Sequence, residues 1–164
     1  MLRRIIALDP GGTTGWATFT FLEMPGGEET YDEVFQCGQL YGEHHDELDT
    51  LLGMQHVESY TIVCESFQKY RDLNSAELIS LEYIGVVKRF AQERVLPIQF
   101  QSSSEGKLRV NGSFVNRSHL VRLGLWSSGQ RHAMDAYSHL LYYMLHTADR
   151  VPLHLRLKYL EAWK

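Results

Sequence analysis

The chain has 164 residues, 44% of them hydrophobic and 22% charged, with a formal net charge of −4. That length suits one domain able to bury roughly 70% of its unfolded surface, which excludes a small fold dependent on disulfide or metal staples. The charge is segregated, because residues 1–65 carry 12 acids and 2 bases while residues 66–164 carry 8 acids and 14 bases, and a positive face can bind phosphates even under a negative total.

Leu2, Ile5, Ile6, Ala7 and Leu8 form an apolar run of strand length, the pattern of a strand buried on both faces. Asp9 ends it, and Pro10 with Gly11, Gly12 and Gly15 predicts a tight turn whose glycines can take positive φ and come close to a ligand. Aromatic and β-branched residues from Trp16 to Phe21 predict a second strand returning antiparallel to the first. The carboxylate is thereby held at the mouth of a hairpin. An Asp so placed serves two chemistries: in actin-like ATPases a comparable turn wraps a nucleotide phosphate, and in ribonuclease H-like nucleases the first-strand Asp is a metal ligand. The two-domain ATPase fold needs far more chain than this one has.

The run before Asp9 is too short for a signal peptide or a membrane span, so a cytoplasmic protein with no membrane partner is expected. Cys37 and Cys64 lie in strand-like apolar runs and read as buried, reduced thiols. A Pro- and Gly-containing turn at residues 23–29 leads to a third strand over 31–41, completing a meander. Residues 43–56 read as a helix burying Leu48, Leu51 and Leu52, with Val57 at its end. His44, His45 and His56 fall here, and the adjacent pair does not share a helix face, which argues against a metal role.

A fourth strand, Tyr60 to Cys64, ends in Glu65, repeating the logic of the first, since a carboxylate closing an apolar run must meet solvent, a cation or hydrogen bonds. The loop beyond it holds Phe67, Lys69, Tyr70 and Arg71. Asn74 can cap a helix running to about Arg94 through Leu78, Leu81, Ile84 and Phe90. A fifth strand follows over 96–100, placed at an edge by Pro97. Residues 101–116 show no clear period and carry Lys107 and Arg109; loops of that length in a compact domain are usually functional or disordered. A short helix over 117–125, a Ser-Ser-Gly break, a long helix over 130–148 and a helical tail over 151–164 complete the chain. The domain itself is expected to span residues 1–150.

In the long helix His132, Asp135 and His139 are spaced by three and four, which puts them on one face. Ala136 shares that face, while Ala133, Tyr137, Leu140, Leu141 and Met144 are placed to bury against the sheet. If the strand ends and the helix start converge, Asp9, Glu65, Asp135 and His132 crowd together, and metal cations would keep the carboxylates deprotonated.

The order of strands and helices, with Asp-Pro-Gly ending the first strand, Glu65 ending the fourth and His132-Ala133-Met134-Asp135-Ala136 on the last long helix, resembles the RuvC-type Holliday junction resolvases of the ribonuclease H-like superfamily. Within that group it is similar to small phage-type and bacterial RuvC-like proteins, in which Leu-Gly-Leu-Trp, Gln-Arg-His-Ala-Met-Asp-Ala and a following His recur much as in Leu123 to His139. The resemblance implies an α/β fold with a mixed five-stranded sheet flanked by helices, elements running βββαβαβα. It implies two Mg²⁺ or Mn²⁺ ions, with Asp9 bridging and Glu65, His132 and Asp135 completing the ligation, and no nucleotide cofactor. Such ions, about 3.5 to 4 Å apart, activate water and stabilise the leaving oxygen in attack on a phosphodiester. Lys107 matches a basic loop residue that steadies the phosphate, and Phe67 or Tyr70 an aromatic that enters the junction. Lys69, Arg71, Arg109 and Arg117 are the further candidates to contact DNA. His139, one turn deeper, is expected to hydrogen-bond behind the ligands or within the core. The activity implied is endonucleolytic resolution of four-way junctions by a homodimer, since opposed strands need two sites. Three other readings stay open: a broader flap- or fork-cutting nuclease of this fold, a non-catalytic junction binder, and an ATP-binding module if the first turn wraps phosphate.

Overall fold

The computed structural model of the chain describes residues 1–22, 33–53, 59–67, 74–103, 109–110, 113–114 and 117–146. Five strands, β1 (Leu2–Asp9), β2 (Thr13–Leu22), β3 (Val34–Tyr41), β4 (Ser59–Ser66) and β5 (Ile98–Ser102), form one sheet in the order β3-β2-β1-β4-β5. β1 runs antiparallel to β2 and parallel to β4, and β5 adds parallel at the edge. This is the mixed five-stranded sheet expected, and the meander of the first three strands is as read.

Alternation along β1 explains the layering. Ile5 and Ala7 point to one face, Ile6 and Leu8 to the other, and all four are buried, as two-sided burial of a central strand requires. The first face is covered by the long helix over Arg131–His146, whose Ala133, Tyr137, Leu140, Leu141 and Met144 meet Ala17, Phe19, Phe21 and Val63. The opposite face is covered by α1 (His45–Gly53) and α2 (Ser75–Glu93), through Leu48, Leu52, Ile84, Val87 and Phe90.

Asn74 caps α2 as read. Its side chain accepts from the Glu77 N–H while the Glu77 carboxylate accepts from the Asn74 N–H, a reciprocal capping box. Leu78 and Leu81 stand 54% and 37% exposed, on the outer face of α2. Two expectations need correction. Cys64 is buried as expected, whereas Cys37 is only half-buried; both are free thiols. The stretch read as aperiodic contains a two-stranded ribbon, β6 (Arg109–Val110) with β7 (Ser113–Phe114), in which Val110 pairs with Ser113. The two residues between them are Asn-Gly, the dipeptide that best favours a two-residue hairpin link, so the signal was present but too short to register as a period. After the ribbon come α3 (Arg117–Arg122) and α4, the long helix already described. The expected tail over 151–164, Val57 and His56 lie outside the described residues. Among the described residues no helix is long and apolar enough to cross a membrane.

Candidate functional site

Strand alternation and register place one polar row across the end of the sheet. Gln39 of β3 pairs with Gly15 of β2, and Gly15 with Asp9 of β1. Leu8 pairs with Cys64, so Asp9 and Glu65 are the next residues on neighbouring parallel strands, and Glu65 pairs with Gln101 of β5. Each is the strand neighbour of a residue packed in the layer of α1 and α2, namely Leu40, Trp16, Leu8, Cys64 and Phe100. By the period of two, the row Gln39, Gly15, Asp9, Glu65, Gln101 therefore faces α4.

The first turns of α4 answer that row. The His132 backbone N–H donates to the Gln39 Oε1 at 2.8 Å, satisfying one of the donors a helix start leaves unpaired. A Cβ on Gly15 would lie 2.0 Å from the His132 carbonyl oxygen, so only glycine admits the helix at this height. The expected positive φ is not found at the two turn glycines beside Asp9. Among the described residues the positive-φ glycines are Gly42, Gly124 and Gly129. Close approach at Gly15, to the start of α4, is a further service of the glycine-rich motif.

The His132 Nδ1 lies 2.8 Å from the Asp9 Oδ2. Asp9, His132 and Asp135 each offer one ligating atom, and these atoms lie within 4.8 Å of one another. Glu65 joins them from the side, through a hydrogen bond to the Asp9 carboxyl. His139 is not part of the ligating group. Its ring is 2% exposed, with Nδ1 2.8 Å from the Gln101 Oε1 and Nε2 3.3 Å from the Glu65 Oε2, so it orients Glu65 from behind, as read.

The charges are held at a cost. The Asp9 carboxyl is pushed up to about 9, by burial first, then by the hydrogen bond and charge of Glu65 and the charge of Asp135, with Arg131 opposing. Asp135, at the open side, is also raised, by burial and by Glu65 against the pull of Arg131 and His132. Carboxyls that must share a proton are a poor resting state and a good cation cage, because a divalent ion can replace the proton and let both ionise. The donor set of hard oxygens with one imidazole fits Mg²⁺ or Mn²⁺. The cavity beside these groups, about 530 Å³, is lined by the Pro10–Gly12 turn, Phe67, Ser80, Ser103 and Arg131.

Phe67 thus stands in the cleft wall. Arg109 falls in β6 and Arg117 opens α3; Lys69, Tyr70, Arg71 and Lys107 lie outside the described residues. Sequence reasoning missed Gln39, Gly15 as a helix seat, Gln101 and Arg131. Counting strand alternation outward from Asp9 and Glu65 could have found the first three.

No family model and no curated protein matches the chain. Among solved structures, Thermus thermophilus RuvC aligns with a TM-score of 0.55 at 16% identity, covering 85% of this chain and 92% of that one. The same protein in complex with Holliday junction substrate aligns with a TM-score of 0.59 at 16% identity, over 86% of this chain and 92% of that one. The fold is that of the RuvC-type resolvases. Fowlpox virus resolvase, in complex with substrate Holliday junction DNA, aligns with a TM-score of 0.52 at 12% identity, over 85% of this chain and 97% of that one. The likeness in fold thus extends over most of each chain.

Proposed function

We infer that the chain is a metal-dependent endonuclease that cuts branched DNA, four-way junctions foremost. The observation that carries this reading is the convergence of Asp9, Glu65, His132 and Asp135, from three separate segments, on one open cleft of a RuvC-type fold. Two of the structurally similar proteins are complexes with Holliday junction DNA, which makes that DNA the first substrate to test.

Asp9, Glu65, His132 and Asp135 would hold two divalent cations, Mg²⁺ or Mn²⁺, which when bound supply an activated water and charge stabilisation for phosphodiester hydrolysis. The chain's own residues do the rest. Gln39 and Gly15 fix the height of His132, and Gln101 with His139 fixes the direction of the Glu65 carboxylate. Arg131, at the cleft rim, is placed to draw a phosphate toward the carboxylates. Lys107 is assigned to steady that phosphate during attack. Phe67 offers an aromatic face to an unpaired base, with Tyr70 as the other candidate, and Lys69, Arg71, Arg109 and Arg117 are assigned to the DNA backbone. Cutting opposed strands calls for a homodimer, and the exposed Leu78, Ile79 and Leu81 of α2 give apolar surface for it.

The test is a gel assay of synthetic four-way junction beside duplex, flap and single strand, with Mg²⁺ or Mn²⁺ and no ATP. Paired nicks in the junction, lost on chelation, are expected. Binding without nicking under every metal condition would refute the nuclease reading, and preferential cutting of flaps would move the substrate.

A further inference from the structure

The end of the sheet is gripped from its second face as well. Thr14 neighbours Gly15 in β2, so its side chain points away from α4, and it is fully buried. There it meets His44, 1% exposed, which lies immediately before α1. The His44 Nε2 is 2.6 Å from the Thr14 Oγ1, and Nδ1 is 2.6 Å from the Gly42 carbonyl oxygen. A carbonyl can only accept, so Nδ1 carries the proton and, in the neutral ring, Nε2 is bare. The Thr14 hydroxyl then donates to Nε2 at 2.6 Å in preference to the Gly11 carbonyl oxygen 3.2 Å away, and its oxygen accepts from the Gly11 N–H at 3.3 Å. Burial holds the His44 pKa below its ordinary value, against the Gly42 carbonyl and Glu47 and together with His45, which keeps the ring in that neutral form.

The ring itself is fixed. It stacks on Tyr83 of α2 at 4.1 Å between centroids and 5° between planes. The Tyr83 hydroxyl donates to the Gly42 carbonyl and accepts from the His44 N–H, both at 3.1 Å. A hydrogen-bonded line therefore runs from Tyr83 through His44 and Thr14 to Gly11, two residues past Asp9, in a turn whose glycines have no side chains to hold it.

We propose that His44 is a positioning residue for the nuclease site: through the Thr14 hydroxyl it locks the Pro10–Gly12 turn and thereby the direction in which Asp9 enters the cleft. This rests on the nuclease reading only for its effect on cutting. The lock is a property of the metal-free protein.

The experiment compares four variants chosen by which ring atom they imitate. His44→Gln puts an acceptor near the Nε2 position and keeps the bond to Thr14, whereas His44→Asn imitates Nδ1 and loses it. Thr14→Val removes the hydroxyl at constant shape, and Thr14→Ser restores it. In metal-free protein, exchange of the Gly11 amide should speed up by about tenfold in His44→Asn and Thr14→Val, the equivalent of one hydrogen bond, and little in the other two. Single-turnover cutting of a saturating junction should fall by about tenfold in the same two variants, with junction binding unchanged. The ring ¹⁵N shifts of His44 should report the Nδ1–H tautomer. Unchanged Gly11 exchange in Thr14→Val would overturn the proposal. So would equal losses in His44→Gln and His44→Asn, which would assign the effect to the stack on Tyr83. If the natural protein cuts no junction, the nuclease reading fails, and the exchange arm still decides the lock; if His44→Asn does not fold, the Thr14 pair decides it.

Discussion

Replacing Asp9 by Asn should stabilise the metal-free protein while abolishing cutting. In the folded chain the Asp9 carboxyl is pushed from 3.8 up to about 9, chiefly by burial and by Glu65, whereas the unfolded chain titrates near the ordinary value. Between those values the folded state keeps a proton that the unfolded state has released. Stability is therefore whole below the lower value and declines as pH rises toward the upper one, by about 1.4 kcal/mol per pH unit for one group. From about pH 5 to about pH 8 the ceiling is about 4 kcal/mol; water entering the open cleft and sharing of the proton with Glu65 reduce it to about 2 kcal/mol. An Asn side chain carries no charge to suppress and can donate to Glu65 in place of the protonated acid. Asp9→Asn should then follow a flatter pH profile and exceed the natural protein at about pH 8 by about 2 kcal/mol, a rise in Tm of roughly 4 to 8 °C for a chain of this size. The assay is thermal or urea unfolding in EDTA at several pH values, repeated with Mg²⁺, which should raise the natural protein more than the variant. Parallel pH profiles for the two proteins, or a variant less stable at about pH 8, would refute the account of Asp9.

The other predictions follow from single contacts. Gly15→Ala forces a methyl group against the His132 carbonyl and should cost about 3 kcal/mol in urea unfolding, the upper end for overpacking against backbone; a cost below about 1 kcal/mol would mean that α4 is not seated there. His139→Ala frees Glu65 to turn and should weaken metal affinity about 10- to 100-fold by calorimetry, an unchanged affinity removing it from the site. His132, assigned as a ligand, would give the cation an imidazole where hard oxygens suit Mg²⁺ better, so Mn²⁺ should cut faster, and His132→Asp should narrow the Mn²⁺ to Mg²⁺ rate ratio. Neutralising Lys69, Arg71, Lys107, Arg109 or Arg117 should each lower the salt slope of binding by about one or less, while Phe67→Ala or Tyr70→Ala should cost about 1 to 3 kcal/mol on junctions and leave duplex binding alone; five unchanged slopes would put the DNA elsewhere.

Much of this architecture is legible in the sequence because the responsible signals are local. The apolar run ending at Asp9, the Asn74 cap and the three-and-four spacing of His132, Asp135 and His139 are each readable within a dozen residues. The partners of those residues are not. Gln39 is one polar residue among alternating ones in β3, and its role as acceptor for the start of α4 depends on a register across 93 positions of chain. Gln101 sits at the edge of a stretch that reads as loop, yet it is fully buried, because a short parallel strand takes its hydrogen bonds from β4 and needs no alternation of its own. The glycines of the first turn announce close approach without naming what approaches. His44 looks like half of a solvated His pair, and only the packing of α1 on α2 puts it inside.

The spacing of the α4 residues has a geometric reason. At one end the helix touches Gly15 and Asp9, between β2 and β1, through His132; at the other it touches Glu65 and Gln101, between β4 and β5, through His139. Those two points are two interstrand spacings apart, about 9.6 Å. The seven residues from His132 to His139 advance about 10.5 Å along a helix axis, so one helix face can address both ends of the row. Asp135, three residues past His132, advances about 4.5 Å and comes level with the middle of the row, where Asp9 and Glu65 meet. A carboxylate at 134 would turn by about 100° from Asp135, into the core where Met134 is buried. The sheet therefore fixes where charge can gather and the helix period fixes which residues can join it. Gly15 sets the height at which the two meet.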